Sequence, residues 1–417
     1  MFNLKLHSAV RNIIRSNFPC LILFAFYVNF CSVKQKELSQ IESKYSIDLD
    51  GVKETSIPFS AYFKSPKTII LETNENCLIG HIFDLQVFDE CIYVLDTQIA
   101  NSLFVFDMSG QFLKKIGSLG QGPGEYIQLS DFTLDKENKN IYLLDFSKRI
   151  HQYRLDGSFV RTITLKLQKT NIRNIHYYNN RLLMSVLAFN PAPSDYMLLE
   201  TDLNNEEILK QSLSLKYNKG WGESIFLHHS FFVSRSDVKP LYTQMFMDYI
   251  VTIGEDITPY ITLKSKNLVT EKDIGNISNF PGGDTREALG RFRNYFSERS
   301  KIFDVHSFVE NDEFILFRYQ QGLNNYYTVI FHKNNGFVKL TNQFNNDLKF
   351  KKSENRFFDG FMFSDSKGGY EVMQTRSIEN FQESIRNNDI VPDLDKLDEL
   401  LKLEADSNPV IFYYEFK

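Results

Sequence analysis

The sequence has no excess of basic residues and no apolar run long enough to cross a bilayer. Lys and Arg total 47 against 52 Asp and Glu, which gives a formal net charge of −5. Proteins that bind nucleic acid normally carry a basic patch or stripe, so we expect no nucleic-acid partner. The apolar run from Phe18 to Phe30 is shorter than the roughly twenty residues that a helix needs to cross a bilayer.

Motifs of common catalytic and metal sites are also missing. None of the histidines has the HExxH spacing, and no Gly-x-Ser-x-Gly elbow occurs. The segment Asp48–Gly51 is too short for a calcium-binding EF-hand loop and lacks its later glutamate. Asp96 and Asp145 recur at one position of a repeat, which favours a role in turns over catalysis. We therefore predict no catalytic residue, no metal site and no cofactor, and the sequence favours a protein that is not an enzyme.

The N-terminus is typical of an export signal. Basic residues precede the apolar run 18–30, Cys31 follows at once, and a polar segment comes next. This layout resembles a bacterial lipoprotein signal, in which the cysteine becomes the acylated N-terminal residue after cleavage. Asn29 and the bulky Phe30 depart from the small residues usual before that cysteine. We expect residues 1–31 to be the signal, with a lipid on Cys31; a secreted, uncleaved or cytoplasmic protein is the alternative.

Two cysteines remain if Cys20 is removed with the signal and Cys31 is lipidated. Cys77 and Cys91 both lie in strand-like surroundings. An oxidising compartment permits a disulfide between them, whereas their surroundings suit two buried free thiols. The sequence leaves both alternatives open.

Aromatic residues are abundant, with 38 Phe and 21 Tyr against one Trp. Such residues fit pleated, half-buried surfaces and therefore favour β-structure. An internal repeat begins near residue 84, because Tyr93 and Asp96 recur as Tyr142 and Asp145 at a period of about 49 residues.

Each repeat contains the parts of a four-stranded blade. In the second repeat, residues 131–134, 141–144, 150–155 and 159–165 have strand patterns, and Asp156–Gly157 forms a tight hairpin between the last two. Four antiparallel strands in about 40–50 residues are typical of a β-propeller blade. Weaker copies continue to the C-terminus.

The residue count predicts six blades. About 310 non-helical residues, divided by the repeat length, give about six units. We therefore predict an all-β fold: a six-bladed β-propeller of four-stranded antiparallel blades over residues 57–417, preceded by a polar tether at 32–56. The strand Thr68–Glu72 has no blade of its own and is expected to complete the blade of Val410–Phe416, which would close the ring.

The most distinctive motif lies between the first two repeats, at residues 117–126. Its residues are Gly120, Gly122, Pro123, Gly124, Glu125 and Tyr126. With the DFTLD, IYLLD and LDGSF segments that follow, it closely resembles the NHL-like six-bladed propeller lipoproteins of gut-type Gram-negative bacteria. The resemblance is strong over residues 84–163 and weak beyond them. It implies a multiply acylated protein at the outer membrane or facing the periplasm.

The glycines of this motif do not have the context of a phosphate-binding loop. A P-loop or a dinucleotide-binding loop opens a helix, whereas this loop runs into another strand. We interpret it as a structural crossover between blades, in which glycine permits tight turns and Pro123 adds stiffness. A ligand-binding loop is the alternative.

Two helical insertions interrupt the strand pattern, at Asp284–Arg299 and Leu394–Leu403. The first carries several arginines, and a degenerate copy of the glycine motif contains the single tryptophan. These features give the candidate binding residues Trp221, Arg286, Arg291 and Arg293. Their structural alternatives are loop packing for the tryptophan and solubility for the arginines.

Together these observations predict an exported, membrane-tethered binding or scaffold module for a protein or glycan partner at the cell envelope. Loops held by a rigid scaffold commonly carry binding residues, so we expect recognition on a loop face of a monomeric propeller. The alternative is a lactonase-like hydrolase or lyase with a metal in the central channel.

Overall fold

The chain forms two compact units, residues 1–41 and 42–417. Within the first unit, Leu38–Gln40 is a short 3₁₀-helix. The second unit is a six-bladed β-propeller, as the sequence predicts. The computed structural model describes residues 37–165, 171–187, 196–204, 207–221, 231–233, 239–278, 285–351, 358 and 360–417.

Blades 1 to 3 follow one another along the chain, and each is a four-stranded antiparallel meander. The strands of blade 1 are Asp84–Phe88, Cys91–Asp96, Ser102–Asp107 and Phe112–Ile116. Those of blade 2 are Leu129–Asp135, Asn140–Asp145, Arg149–Arg154 and Phe159–Thr164. Those of blade 3 are Asn171–Tyr178, Arg181–Leu187, Tyr196–Asp202 and Glu207–Ser214.

Blades 4 to 6 have the same order of strands, with additions from the N-terminal part of the chain. The strands of blade 4 are Phe231–Val233, Pro240–Tyr242, Tyr249–Ile253 and Ile257–Lys264. Those of blade 5 are Ile302–Glu310, Phe314–Gln321, Asn325–His332 and Val338–Thr341. Those of blade 6 are Phe363–Ser364, Gly368–Met373, Val410–Glu415 and Lys67–Ile70.

Blade 6 closes the ring with strands from both ends of the propeller. Val410–Glu415 pairs antiparallel with Lys67–Ile70, with Val410 opposite Ile70. The predicted closing sheet is therefore confirmed. This pairing gives hydrogen-bond partners to two strand edges that would otherwise be open.

The strands are apolar on both faces because each blade is packed between two others. In the second strand of blade 2, Ile141 and Leu143 contact the core shared with blade 1. Tyr142 and Leu144, which point the other way, contact the core shared with blade 3. Alternate residues of a strand thus fill different inter-blade cores, which explains the nearly continuous apolar runs of the sequence.

Part of the expected tether belongs to the propeller, which corrects its extent. Tyr45–Asp48 pairs in parallel with Ile257–Lys264 and adds a fifth strand to blade 4. Further along, Ile57–Pro58 pairs in parallel with Phe344–Asn345. The physical reason is burial of isolated apolar residues, since the side chain of Ile47 is wholly inaccessible to solvent.

The described residues contain four α-helices rather than the two expected insertions. The helices are α1 (Glu271–Ser278), α2 (Thr285–Ser297), α3 (Ile378–Arg386) and α4 (Leu397–Leu400). The first expected insertion is confirmed as α2, whereas the second is reduced to the single turn α4. Helices α1 and α3 were not predicted, because they are short and mainly polar.

Strand direction places the inserted helices on one face of the propeller. In an antiparallel blade, the loop entering the first strand and the loop joining the second and third strands lie at the same end. Helices α1 and α2 lie in the loop that enters blade 5, and α3 and α4 join the second and third strands of blade 6. We refer to the face formed by these loops as the inter-blade face.

Candidate functional site

The glycine loop of residues 117–126 lies on the inter-blade face and is held by its own contacts. The Glu125 carboxylate accepts a hydrogen bond from the Gly122 N–H at 2.7 Å. Gly124 has a φ of 76°, and a Cβ there would lie 2.8 Å from the Phe159 ring. Only glycine fits this position, so the geometry is that of a tight crossover.

The remaining residues of the loop fit the same structural role. Gly120 lies against the Glu125 carboxylate, where a Cβ would approach an oxygen to 2.0 Å. Tyr126 is buried in the core between blades 1 and 2. Pro123 is exposed at the tip of the loop.

Trp221 lies in a hydrophobic cluster rather than at the surface. Only 4% of the residue is exposed, and its ring meets Phe246 edge-on with centroids 5.4 Å apart. Phe292 of α2 lies 6.1 Å away. This corrects its candidacy as a binding residue, because the indole packs beneath a helix as the loop-packing alternative expects. The other members of the cluster are Val269, Ile274, Ile277, Phe296 and Phe303.

The candidate arginines lie on α2 with differing surroundings. Arg291 is half-buried and lies 4.0 Å from the Glu287 carboxylate, one helical turn away. Arg293 is exposed. Arg286 is in the first turn of α2, and its side chain lies outside the described residues. The structure therefore does not join these arginines and Trp221 into one exposed surface.

The recurrent aspartates cap loops at the inter-blade face. Asp96 accepts hydrogen bonds from the N–H groups of Gly80 at 2.8 Å and Ile99 at 2.9 Å. Burial acts to raise the pKa of Asp145, but hydrogen bonds from His151 and Arg149 outweigh it and leave the pKa below its usual value. Both carboxylates are thus engaged by their own blades.

Polar groups on the first strands of blades 2 and 3 contact neighbouring strands. The Asp131 carboxylate accepts a hydrogen bond from the Ile175 N–H at 2.7 Å, which links the first strands of blades 2 and 3. The Arg173 guanidinium lies 5.9 Å from the Phe83 ring. Burial lowers the pKa of Arg173, against the opposing charge of Asp131. In the described parts of the chain, no group of three or more His, Cys, Asp or Glu could hold a metal ion.

Cys77 and Cys91 are both free thiols. Cys77 is buried and donates to the Glu72 carbonyl at 3.1 Å, whereas Cys91 is half-buried. Burial raises the pKa of both thiols. The expected lipid site, Cys31, lies outside the described residues. None of the described helices has the length and hydropathy of a membrane span.

Sequence reasoning missed an exposed apolar surface on the inter-blade face. Large apolar side chains in the loops around blades 1 and 2 are each more than half exposed. They are Leu78 (52%), Ile99 (73%), Leu119 (56%), Ile127 (55%) and Phe146 (65%), and together they form the loop patch. The signal in the sequence was an apolar residue at turn positions where polar residues are usual.

Hydrogen bonds and one side-chain contact join the loops that carry this patch. Asn101 accepts a hydrogen bond from the Leu129 N–H at 2.7 Å and donates one to the Ile127 carbonyl at 3.0 Å. The Phe146 N–H donates to the Gln128 carbonyl at 2.9 Å. On the other side, the Ile99 side chain lies directly against Gly80. These contacts connect neighbouring loops on the same face of the propeller.

The fold resembles two solved structures from Bacteroides species. One is a protein of Bacteroides fragilis NCTC 9343 named as a candidate exported protein, with a TM-score of 0.69 and 19% identity over 89% of this chain and 99% of the other. The other belongs to the DUF4221 family of Bacteroides vulgatus ATCC 8482, with a TM-score of 0.51 and 12% identity over 85% of this chain and 97% of the other. Both comparisons show similarity of fold alone, because the sequence identities are low. No curated protein matches the sequence.

The family is shown by a match that spans nearly the whole propeller. The sequence profile described as a domain of unknown function, DUF4934, matches residues 44–415. This range begins just before Tyr45–Asp48 and ends at the last residue of the closing strand Val410–Glu415. The chain therefore belongs to the DUF4934 family.

Proposed function

We propose that the protein is an exported binding or scaffold module at the cell envelope, which captures a protein or glycan partner through its inter-blade face. The observation that carries the proposal is the loop patch. Exposed apolar clusters on a folded domain commonly mark interaction sites, and this one lies on loops held by a rigid ring of blades.

Export is supported by two observations. The N-terminus has the charge and hydropathy pattern of a signal segment. The similar protein from Bacteroides fragilis is itself named as a candidate exported protein. We further propose that the chain is an NHL-like lipoprotein anchored through Cys31 at the outer membrane or facing the periplasm.

The anchor is tested by labelling in a Gram-negative host. Wild-type protein should incorporate a clickable fatty acid and remain with the membrane fraction. Cys31→Ser should lose both properties, because Cys31 is the cysteine that directly follows the apolar run 18–30. Cys20→Ser, removed with the signal, is the matched control and should behave as wild type. Unchanged labelling of Cys31→Ser would contradict the anchor.

The binding function is tested with the full-length protein. Tagged protein purified from native membranes should carry a partner at a fixed molar ratio, and the two purified components should bind again in solution by calorimetry. Recovery without any partner would contradict the proposal. The proposal would also be contradicted if the protein converted a lactone or glycan substrate and a chelator abolished that activity. Such a result would favour the hydrolase or lyase alternative.

A further inference from the structure

The added strand of blade 4 fixes the point at which the preceding chain joins the propeller. Tyr45–Asp48 is the outermost strand of that blade. The Lys44 N–H donates to the Pro259 carbonyl at 3.3 Å, and the Leu49 N–H donates to the Lys264 carbonyl at 2.9 Å. Whatever precedes Lys44 is therefore attached at the outer edge of blade 4, and we call this point the junction.

The direction of the strand places the junction away from the inter-blade face. In an antiparallel blade that begins at the inter-blade face, the fourth strand runs back towards that face. Tyr45–Asp48 is parallel to Ile257–Lys264, the fourth strand of blade 4. The strand therefore begins at the other side of the ring, among the loops that join first to second and third to fourth strands. We refer to that side as the opposite face.

Contacts at the two ends of the strand agree with this direction. The Tyr45 ring lies 5.3 Å from the ring of Phe331, which is near the end of the third strand of blade 5 and hence at the opposite face. The Asp50 carboxylate accepts a hydrogen bond from the Lys266 N–H at 3.0 Å, in the loop that leaves blade 4 on the inter-blade face. The chain thus enters at the opposite face, beside blades 4 and 5.

The junction and the loop patch lie at opposite corners of the propeller. Buried clusters and a hydrogen bond connect each blade to the next, and blade 6 to blade 1. In a ring of six blades, blades 4 and 5 lie across the central axis from blades 1 and 2. The loop patch is on the inter-blade face of blades 1 and 2, whereas the junction is on the opposite face of blades 4 and 5. Both the width and the thickness of the ring separate them.

The chain between the proposed anchor and the junction is short. With a lipid on Cys31, only residues 32–43 separate the membrane from Lys44. A chain of this length reaches about 45 Å when fully extended. When it is flexible and unstretched, its ends are on the order of 20 Å apart.

This reach is close to the thickness of the propeller. The nine-residue strand Ile302–Glu310 is about 30 Å long, and the helices on the inter-blade face add about 10 Å. A membrane against the inter-blade face would require residues 32–43 to be stretched almost to their limit, which costs conformational entropy. A membrane at the opposite face requires no stretching.

We propose that this short tether keeps the opposite face of blades 4 and 5 next to the membrane, so that the inter-blade face of blades 1 and 2 points away from it. The inference rests on the proposed lipid anchor. It applies whether the propeller stands on its opposite face or leans on the rim of blades 4 and 5, because the loop patch is distant from the membrane in both cases. The loop patch is then presented to a partner that approaches from the aqueous side rather than to one embedded in the same membrane.

The test is energy transfer from the lipidated full-length protein to acceptor-labelled lipids in preformed phosphatidylethanolamine and phosphatidylcholine vesicles. A donor fluorophore is attached through an azide-bearing amino acid at position 337 or, as the matched control, at position 119. The native side chains Phe337 and Leu119 are both 56% exposed. Phe337 lies between the third and fourth strands of blade 5, on the opposite face, and Leu119 lies between blades 1 and 2, on the inter-blade face. Transfer from position 337 should be several-fold stronger than transfer from position 119.

A longer tether provides the second measurement. Insertion of about thirty Gly and Ser residues between Lys36 and Glu37 allows either face to reach the membrane. Transfer from the two positions should then become similar, while the melting temperature stays that of the wild type. A difference that persisted in full would show that the tether does not set the orientation, and the inference would be overturned.

Flotation of the vesicles distinguishes failure of this inference from failure of the anchor. Protein that floats with the vesicles but gives equal transfer from both positions, or stronger transfer from position 119, retains the anchor and overturns the orientation. Protein that stays in solution, as Cys31→Ser should, contradicts the anchor, and the orientation fails with it. Capture of a partner is measured separately and does not depend on either result.

Discussion

On the inter-blade face, apolar residues are buried beside blades 4 and 5 and exposed beside blades 1 and 2. Beside blades 4 and 5, Trp221 and Phe246 lie beneath α2, and Phe292 of that helix is fully buried against them. Beside blades 1 and 2, Ile99 and Phe146 sit on short loops and remain mostly exposed. The first side gains stability from its buried apolar residues, whereas the second leaves its apolar residues exposed to solvent. Substitutions beside blades 4 and 5 should therefore reduce stability, whereas substitutions beside blades 1 and 2 should reduce binding.

The largest expected effect comes from removing the strand that both sides depend on. Deletion of Val410–Lys417 takes away the partner of Lys67–Ile70 and of Gly368–Met373, and it opens the ring. We expect no cooperative unfolding transition by calorimetry. Deletion of Lys417 alone is the control and should keep the wild-type transition. A folded product from the longer deletion would show that closure is dispensable.

Phe292→Ala should strongly destabilise the protein, because Phe292 is part of the buried cluster beneath α2. The side chain is fully buried among Trp221, Phe246 and Phe303, so its loss leaves a cavity. We expect the free energy of unfolding to fall by about 3–5 kcal/mol in denaturant titration. Phe292→Leu should cost much less. If the free energy of unfolding of the alanine variant fell by less than about 1 kcal/mol, packing of α2 on this cluster would contribute little to stability.

Asp273→Asn should have an intermediate effect that depends on pH. Burial acts to raise the pKa of Asp273, but hydrogen bonds from Tyr295, Thr270 and Lys301 lower it to about 2. Loss of these charge-assisted bonds should cost about 1.5–3 kcal/mol at neutral pH. Because the folded pKa lies below the unfolded one, this stabilisation is present above about pH 4 and is lost as the pH falls towards 2.

The check is the melting temperature of wild type and Asp273→Asn across that range. The difference between them should be constant above pH 5 and should shrink as the pH falls to about 2. Asp406→Asn, at an exposed carboxylate, is the control and should show a small difference throughout. A difference for Asp273→Asn that did not change with pH would contradict the role of its charge.

The smallest effect on stability is expected in the loop patch. Ile99→Ser combined with Phe146→Ser removes side chains that are mostly exposed. We expect the free energy of unfolding to change by no more than about 0.5 kcal/mol, while binding of the partner is lost. A loss above 2 kcal/mol would show that the patch is part of the core, and the contrast between the two sides would disappear.

Much of the fold was predictable because its signals are local and repeated. Tyr93 and Tyr142 mark the same place in successive blades, and the alternation of residues such as Ile141 and Tyr142 reports burial on both faces of a strand. The closing pair of strands was also predictable, since the strand predicted at Thr68–Glu72 had no blade of its own. The segment Tyr45–Asp48 was not, because its strand depends on an edge of blade 4 that lies more than two hundred residues away.

The candidate site separates what the sequence determines from what the tertiary structure decides. The sequence by itself determined the blade period, the turns, the helix α2 and the presence of apolar residues in the loops. Whether a loop residue is covered depends on chain that is distant in sequence. Helix α2 covers Trp221 from a position some seventy residues later, and in the described chain nothing comparable covers Phe146. Burial depends on which residues the fold brings next to a side chain, so only the tertiary structure could distinguish a packed tryptophan from an exposed apolar surface.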